Sequence, residues 1–167
     1  MKIGVMSDTH GNSKFISKVM NYFQREKVEK IFHLGDNYED RIEIEPYGIP
    51  FTIVPGIYDE EYLNKTVPFY IIEQVEDIKV VLIHSLSDLP ESAIGDCKVI
   101  FFGHTHDYLV RVRNNGKLYI NPGHLKDRTH KGRIATFCIF NYSSGIYKVK
   151  IIDIDFKPIL EEEFKGL

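Results

Sequence analysis

Apolar positions follow two rhythms along this chain, and the switches between them outline a fold. The first run, Lys2 to Ser7 with Ile3, Val5 and Met6, reads as a short buried strand that stops at a polar cluster. Phe15, Ile16, Val19, Met20 and Phe23 then recur at helical spacing, with Lys14, Lys18 and Arg25 on the other side. Asn12 or Ser13 caps that helix. Lys30 to Leu34 is strand-like again and is closed by Gly35-Asp36. A strand–helix–strand opening predicts a parallel α/β unit.

Further strands are predicted at Phe51 to Val54, Phe69 to Val75, Ile78 to His84 and Val99 to Phe102, with Glu76-Asp77 as a tight hairpin turn. The acidic stretch Tyr38 to Glu45 is ambiguous and fits a short helix before Pro46. Beyond Gly103 the pattern becomes antiparallel. Tyr108 to Arg113 and Lys117 to Ile120 flank Asn114-Asn115-Gly116. Ile134 to Phe140 and Ile146 to Ile154 flank Ser143-Ser144-Gly145. The charged tail, Glu161 to Leu167, is expected to fray. With no linker or repeat, the expectation is an α/β fold in one domain spanning residues 1–167.

Composition narrows the function. The 167 residues are 43% hydrophobic and 27% charged, ordinary for a globular chain. Twenty-one Lys+Arg against 24 Asp+Glu, a net charge of −3, argue against an extended nucleic-acid partner. No apolar stretch reaches the ~20 residues of a membrane helix, so no membrane partner is expected. The run Met1 to Met6 meets Asp8 and His10 at once, unlike a signal peptide. Cys97 and Cys138 make no disulfide framework and read as core residues. These features point to the cytoplasm. Seven histidines remain to be explained.

Several predicted strands end in a metal-ligand residue: Asp8 and His10 after the first, Asp36 after the second, His84 at the end of Ile78 to His84, and His104 and His106 after Phe102. Sites in α/β sheets form outside the carboxyl ends of strands, where side chains converge. Mixed imidazole and carboxylate donors suit Mn, Fe, Co, Ni or Zn. Two such ions about 3.5–4 Å apart can clamp a phosphoryl group for in-line attack. Any one of these fragments arises by chance; the ordered set does not.

In that order and spacing the chain resembles the calcineurin-like metallophosphoesterase superfamily, especially its small single-domain phosphodiesterases. D-x-H at Asp8 and His10, Gly35-Asp36, His84, Gly103-His104-Thr105-His106 and the turn Asn121-Pro122-Gly123 carry the resemblance over nearly the whole chain. It implies a four-layer α/β/β/α sandwich of two mixed β-sheets. It also implies two divalent transition metal ions, one on Asp8, His10, Asp36 and His106, the other on Asp36, His84 and His104 plus an asparagine. Ile57 stands where that asparagine is expected, so the second site is expected to be weak. Tyr58 occupies the position where many relatives carry a catalytic histidine.

The function expected from the resemblance is hydrolysis of a small phosphodiester or nucleotide-like substrate. Its rival is a catalytically weak scaffold that binds another protein, like the retromer subunit of the same superfamily. A homo-oligomer is compatible with both. A hydrolase of another H-x-H type is remote, because His104-Thr105-His106-Asp107 lacks the further histidine such a motif needs. His124, just past the N-P-G turn, is either a surface residue or a proton donor to the leaving group. Tyr58 and Tyr62 either pack or stack on a nucleobase. His33, inside a strand, is expected to be a satisfied interior histidine near the ligands. His130 lies in the basic run Arg128 to Arg133, solvated by default and otherwise facing a phosphate.

Overall fold

The computed structural model describes residues 1–167. Its elements in chain order are β1 (Lys2–Met6), α1 (Ser13–Arg25), β2 (Lys30–His33), α2 (Arg41–Ile44), β3 (Phe51–Ile53), α3 (Glu60–Leu63), β4 (Tyr70–Val75) and β5 (Ile78–Ile83). There follow α4 (Glu91–Ile94), β6 (Val99–Phe102), β7 (Leu109–Val112), β8 (Leu118–Asn121), β9 (Thr129–His130), β10 (Arg133–Ile134), β11 (Thr136–Ser143), β12 (Ile146–Asp153) and β13 (Pro158–Lys165).

Two mixed sheets result. The first runs β13-β12-β11-β1-β2-β3, parallel from β1 to β3 and antiparallel from β11 to β13. The second runs β4-β5-β6-β8-β7, with parallel β5, β6 and β8 and antiparallel edges. Val5, Phe32, Leu34 and Phe140 of the first sheet meet Val80, Leu82, Phe101 and Ile120 of the second in one buried layer. Phe101 packs edge-on against Phe32 and Phe140 at centroid distances of 5.4 and 5.2 Å.

Asn12 caps α1 by accepting the Phe15 N–H at 3.2 Å, and the helix buries Ile16, Val19, Met20 and Phe23 on the outer face of the first sheet. The outer face of the second sheet carries a smaller cluster, Val81, Ile83, Ile100, Phe102, Tyr119 and Cys97, under α4 and the turn at Leu86–Asp88. The α/β/β/α order is therefore realised with unequal outer layers. No helix is long and apolar enough to cross a membrane.

Two expectations need correction. The tail does not fray: β13 pairs along β12, setting Glu161 opposite Lys150 and Glu163 opposite Lys148, while Ile159, Leu160 and Phe164 pack against the core. The expected strand from Ile134 to Phe140 is split. Ile134 is exposed and belongs to the small β9–β10 hairpin, and β11 begins only at Thr136. The acidic stretch is helical, as expected, but continues through Pro46 to Tyr47. Pro46 falls in a first turn, where its missing N–H has no partner to lose.

Candidate metal centre

β1, β2, β5 and β6 all run toward one edge of the sandwich, and the loops after them hold Asp8 and His10, Asp36, His84, and His104 and His106. The structure thus brings all six candidate ligands to one edge. Five of them have left-handed backbone: φ is +53° at Asp8, +49° at His10, +80° at Asp36, +68° at His104 and +60° at His106. Such conformations are uncommon outside glycine and cluster at functional sites.

Asp8 is fully buried. Its carboxylate accepts hydrogen bonds from the Ser7 hydroxyl at 2.6 Å and the His104 N–H at 3.0 Å, and His106 Nε2 lies 3.3 Å away. Burial opposes its charge. The bond to His106, the charge of His84 and the Ser7 hydroxyl outweigh burial and hold the carboxyl below its usual range. The N–H of His104 joins the second sheet to the first here. The approach needs Gly103, because a Cβ at that residue would run into the Ser7 hydroxyl and the Asp8 carboxylate. Asn121 secures the same loop, donating to the Gly103 carbonyl at 2.9 Å and the Thr105 hydroxyl at 3.0 Å.

His10 Nε2 lies 2.6 Å from Asp36 Oδ2 and 3.3 Å from His106 Nε2. Donors bound at about 2.1 Å to one divalent ion are about 3 Å apart, so this spacing fits a metal. His84 gives a second test. It is buried, and a carbonyl can only accept, so its Nδ1–H donates to the Leu34 carbonyl at 2.8 Å. Its Nε2 then presents a buried lone pair with no partner in the protein. The His104 ring stands 5.2 Å from the His84 ring, centroid to centroid. The donor set fits divalent metal ions.

Behind the ligands lies a residue that sequence reasoning missed. Asp40 is buried and accepts from the Thr9 hydroxyl, the Asn37 amide and His33 Nε2, the last at 2.9 Å. His33 Nδ1 in turn accepts the Gly35 N–H at 3.1 Å. His33 is therefore the satisfied interior histidine expected of it. Asp40 ties the loop after β1 to the loop after β2. Its one sequence signal is a carboxylate four residues beyond Asp36, inside an acidic stretch whose structure was ambiguous.

The remaining candidates divide. Tyr58 is 78% exposed. His124 is no surface residue: it is buried, its ring centroid 5.4 Å from that of His106, and its Nε2–H donates to the Arg133 carbonyl at 3.1 Å. Burial is the main force lowering its pKa and outweighs the Arg133 carbonyl, while the charges of His106 and His130 lower it further. Its Nε2–H is thus already bonded within the protein. His130, by contrast, stands over the site at 5.1 Å from the His106 ring. Desolvation and the nearby Lys126, His106 and Lys131 lower its pKa.

Ile57 follows Gly56 in the turn after β3 and carries no donor atom, while the Asp59 carboxylate of the same turn feels the charges of both Asp36 and His84. Asp59 accepts the Gly56 N–H at 2.6 Å, and burial and the charge of Asp36 push its carboxyl up.

A mixed two-sheet α/β sandwich with imidazoles and carboxylates at the ends of its parallel strands is the architecture of a phosphoesterase domain. Residues 1–145 match the family profile described as the calcineurin-like phosphoesterase superfamily domain, and the chain belongs to that superfamily. A phosphodiesterase of Methanocaldococcus jannaschii is 28% identical over 177 aligned residues, covering 96% of this chain and 98% of the relative. Two solved structures share the fold. A phosphoesterase from E. coli superposes with a TM-score of 0.76 at 18% identity, covering 97% of this chain and 98% of that one. Vacuolar protein sorting 29 from Cryptosporidium parvum also gives 0.76, at 20% identity, covering 99% and 98%.

Proposed function

We propose that this protein is a metal-dependent phosphodiesterase, one domain over its 167 residues, acting on a small phosphodiester or nucleotide-like substrate. The observation that carries this is the close set of carboxylate and imidazole donors in which His10 lies 2.6 Å from Asp36 and 3.3 Å from His106, with His106 3.3 Å from Asp8; the buried, partnerless Nε2 of His84 at the same edge adds to it. The similarity to the archaeal phosphodiesterase supports the same reaction class.

Asp8, His10, Asp36 and His106 would hold one divalent ion, and Asp36, His84 and His104 a second, with Asp36 between them. Bound there, such ions supply Lewis acidity and lower the pKa of water enough for a nucleophile at neutral pH. The protein's own part is positioning. The Leu34 carbonyl fixes the His84 tautomer, Asp40 fixes the two acidic loops, and buried His124 backs the His106 ring. Mixed nitrogen and oxygen donors suit manganese, nickel, cobalt, iron or zinc. Free buried Cys97 and Cys138 agree with a reducing compartment such as the cytoplasm.

Hydrolysis of bis(p-nitrophenyl) phosphate across a panel of these metals tests the proposal, with His106→Ala as the control. Metal-dependent turnover that the substitution abolishes is expected. A wild-type protein that takes up no transition metal and hydrolyses nothing refutes it.

A scaffold role is the second reading. Ile57 favours it by depriving one half of the site of a donor, as do the exposed Tyr58 and Leu63 nearby in the chain, 78% and 63% exposed. Likeness to vacuolar protein sorting 29 agrees with it. Full metal occupancy without hydrolysis of bis(p-nitrophenyl) phosphate with any metal of the panel would select this reading.

A further inference from the structure

The β9–β10 hairpin is not used by the chemistry above, yet it stands over the site. Its two-residue turn is Lys131-Gly132, with φ of +50° and +79°. Both residues of such a turn need left-handed backbone, so asparagine, aspartate or glycine is the unstrained choice at the first position. Lysine is there instead, exposed, and it takes part in none of the molecule's salt bridges. Arg133, on the returning strand, has a buried Nε without a hydrogen-bond partner and only a long 3.5 Å ion pair to Asp107. Two permanent cations are thus left without matched partners beside the histidines.

The space they enclose explains what they would hold. A small cleft of about 130 Å³ is lined by His104, Thr105, His106, His130, Lys131 and Arg133, with neither a carboxylate nor an apolar side chain in its wall. A second cleft of about 430 Å³ adjoins it, sharing His106, Lys131 and Arg133 and adding Asp107, Tyr108 and Ile134. Sites for whole small molecules run to about 300–1,000 Å³. The small cleft therefore suits a single anionic group, and the larger one suits an organic moiety lying on the half-exposed faces of Tyr108 and Ile134.

We propose that the β9–β10 hairpin is a second phosphate subsite: Lys131 and Arg133 hold an anionic group of the substrate beside the reacting phosphate, and Tyr108 and Ile134 receive its organic part. The preferred substrate is then a phosphoester with two phosphate groups on one small organic body, such as a nucleotide carrying a second phosphate. This builds on the phosphodiesterase reading, but its cations work whether or not the reaction occurs.

Titration calorimetry on the manganese-loaded full chain tests it apart from turnover, with adenosine 3′,5′-bisphosphate and ADP compared against AMP. At least one of the two doubly phosphorylated probes should bind about 10- to 100-fold more tightly than AMP, the factor that one or two charge-assisted hydrogen bonds provide. In the double variant Lys131→Asn, Arg133→Gln that preference should fall to within about threefold. Asparagine suits the left-handed turn position, and the backbone carbonyl of residue 133 that receives His124 is unaltered, so the fold should persist. If the double variant nevertheless unfolds, Lys131→Asn alone should cut the preference by about threefold or more. Equal affinities in the wild type, or a preference that survives the substitutions, overturn the subsite. A preference without hydrolysis of any diester refutes the reaction and leaves the subsite standing; hydrolysis without a preference does the reverse.

Discussion

The two halves of the candidate site are built differently. Around Asp8, His10, Asp36 and His106 the donors already form a chain of close pairs, Asp36 to His10 at 2.6 Å, His10 to His106 at 3.3 Å and His106 to Asp8 at 3.3 Å, and Asp8 is fixed by Ser7 and the His104 N–H. Around His84 and His104 there are two rings 5.2 Å apart, one orphaned Nε2, and Ile57 where an amide is expected. The first half is preorganised by the protein's own bonds. The second depends more on what enters it, so the halves should differ in affinity for the same ion and in sensitivity to mutation.

The sharpest way to break this contrast is to remove what the halves share. Asp36→Ala should abolish metal binding on both sides and lower diester hydrolysis by more than about 100-fold, beyond what loss of an outer partner costs. Elemental analysis with initial rates reads both. Next comes Asp40, which braces the loops that carry Asp8, His10 and Asp36. Asp40→Asn should weaken metal binding by about 10- to 100-fold and leave residual activity. It should also destabilise the fold by about 1–3 kcal/mol at neutral pH, since it weakens buried charge-assisted hydrogen bonds.

That stability term has a definite pH dependence. Burial alone would raise the Asp40 carboxyl, but His33, Thr9 and Asn37 hold it below its ordinary 3.8. The contribution is therefore complete above that value and fades as pH falls through the lower folded one. Urea melts of wild type and Asp40→Asn should differ most near neutrality and converge in acid. A smaller effect should sharpen the contrast from the other side. Ile57→Asn should raise affinity at the second half by about tenfold, read as a second equivalent of bound metal, with little change in the first. Least of all, Tyr58→Ala should change stability by no more than about 0.5 kcal/mol and rates by less than about twofold. A large effect there would mean that Tyr58 meets a ligand or a partner protein.

How far the sequence anticipated this follows from how local each signal was. Strands ending in Asp8, Asp36 and His104 were legible because apolar runs and their polar ends sit within a few residues. The α1 face and its cap were equally local. β13 was not, because Glu161 and Glu163 look solvated until Lys150 and Lys148 are known to lie opposite. Asp40 escaped for the same reason: its partners, Thr9 and His33, come from other loops. His124 and His130 exchanged places, with the expected rim residue buried and the ordinary one at the mouth. Burial beyond the N-P-G turn depends on how β9 and β10 fold back, and a six-residue basic run says nothing of that.

The left-handed backbone at Asp8, His10, Asp36, His104 and His106 bears on the stability of the fold as well as on the chemistry. Each such residue costs on the order of 1 kcal/mol that glycine would not. Five together, roughly 5 kcal/mol, rival the lower end of a typical domain's whole stability of about 5–15 kcal/mol. None of the five is glycine, so that strain is carried where a carboxylate or an imidazole is held at the end of a strand.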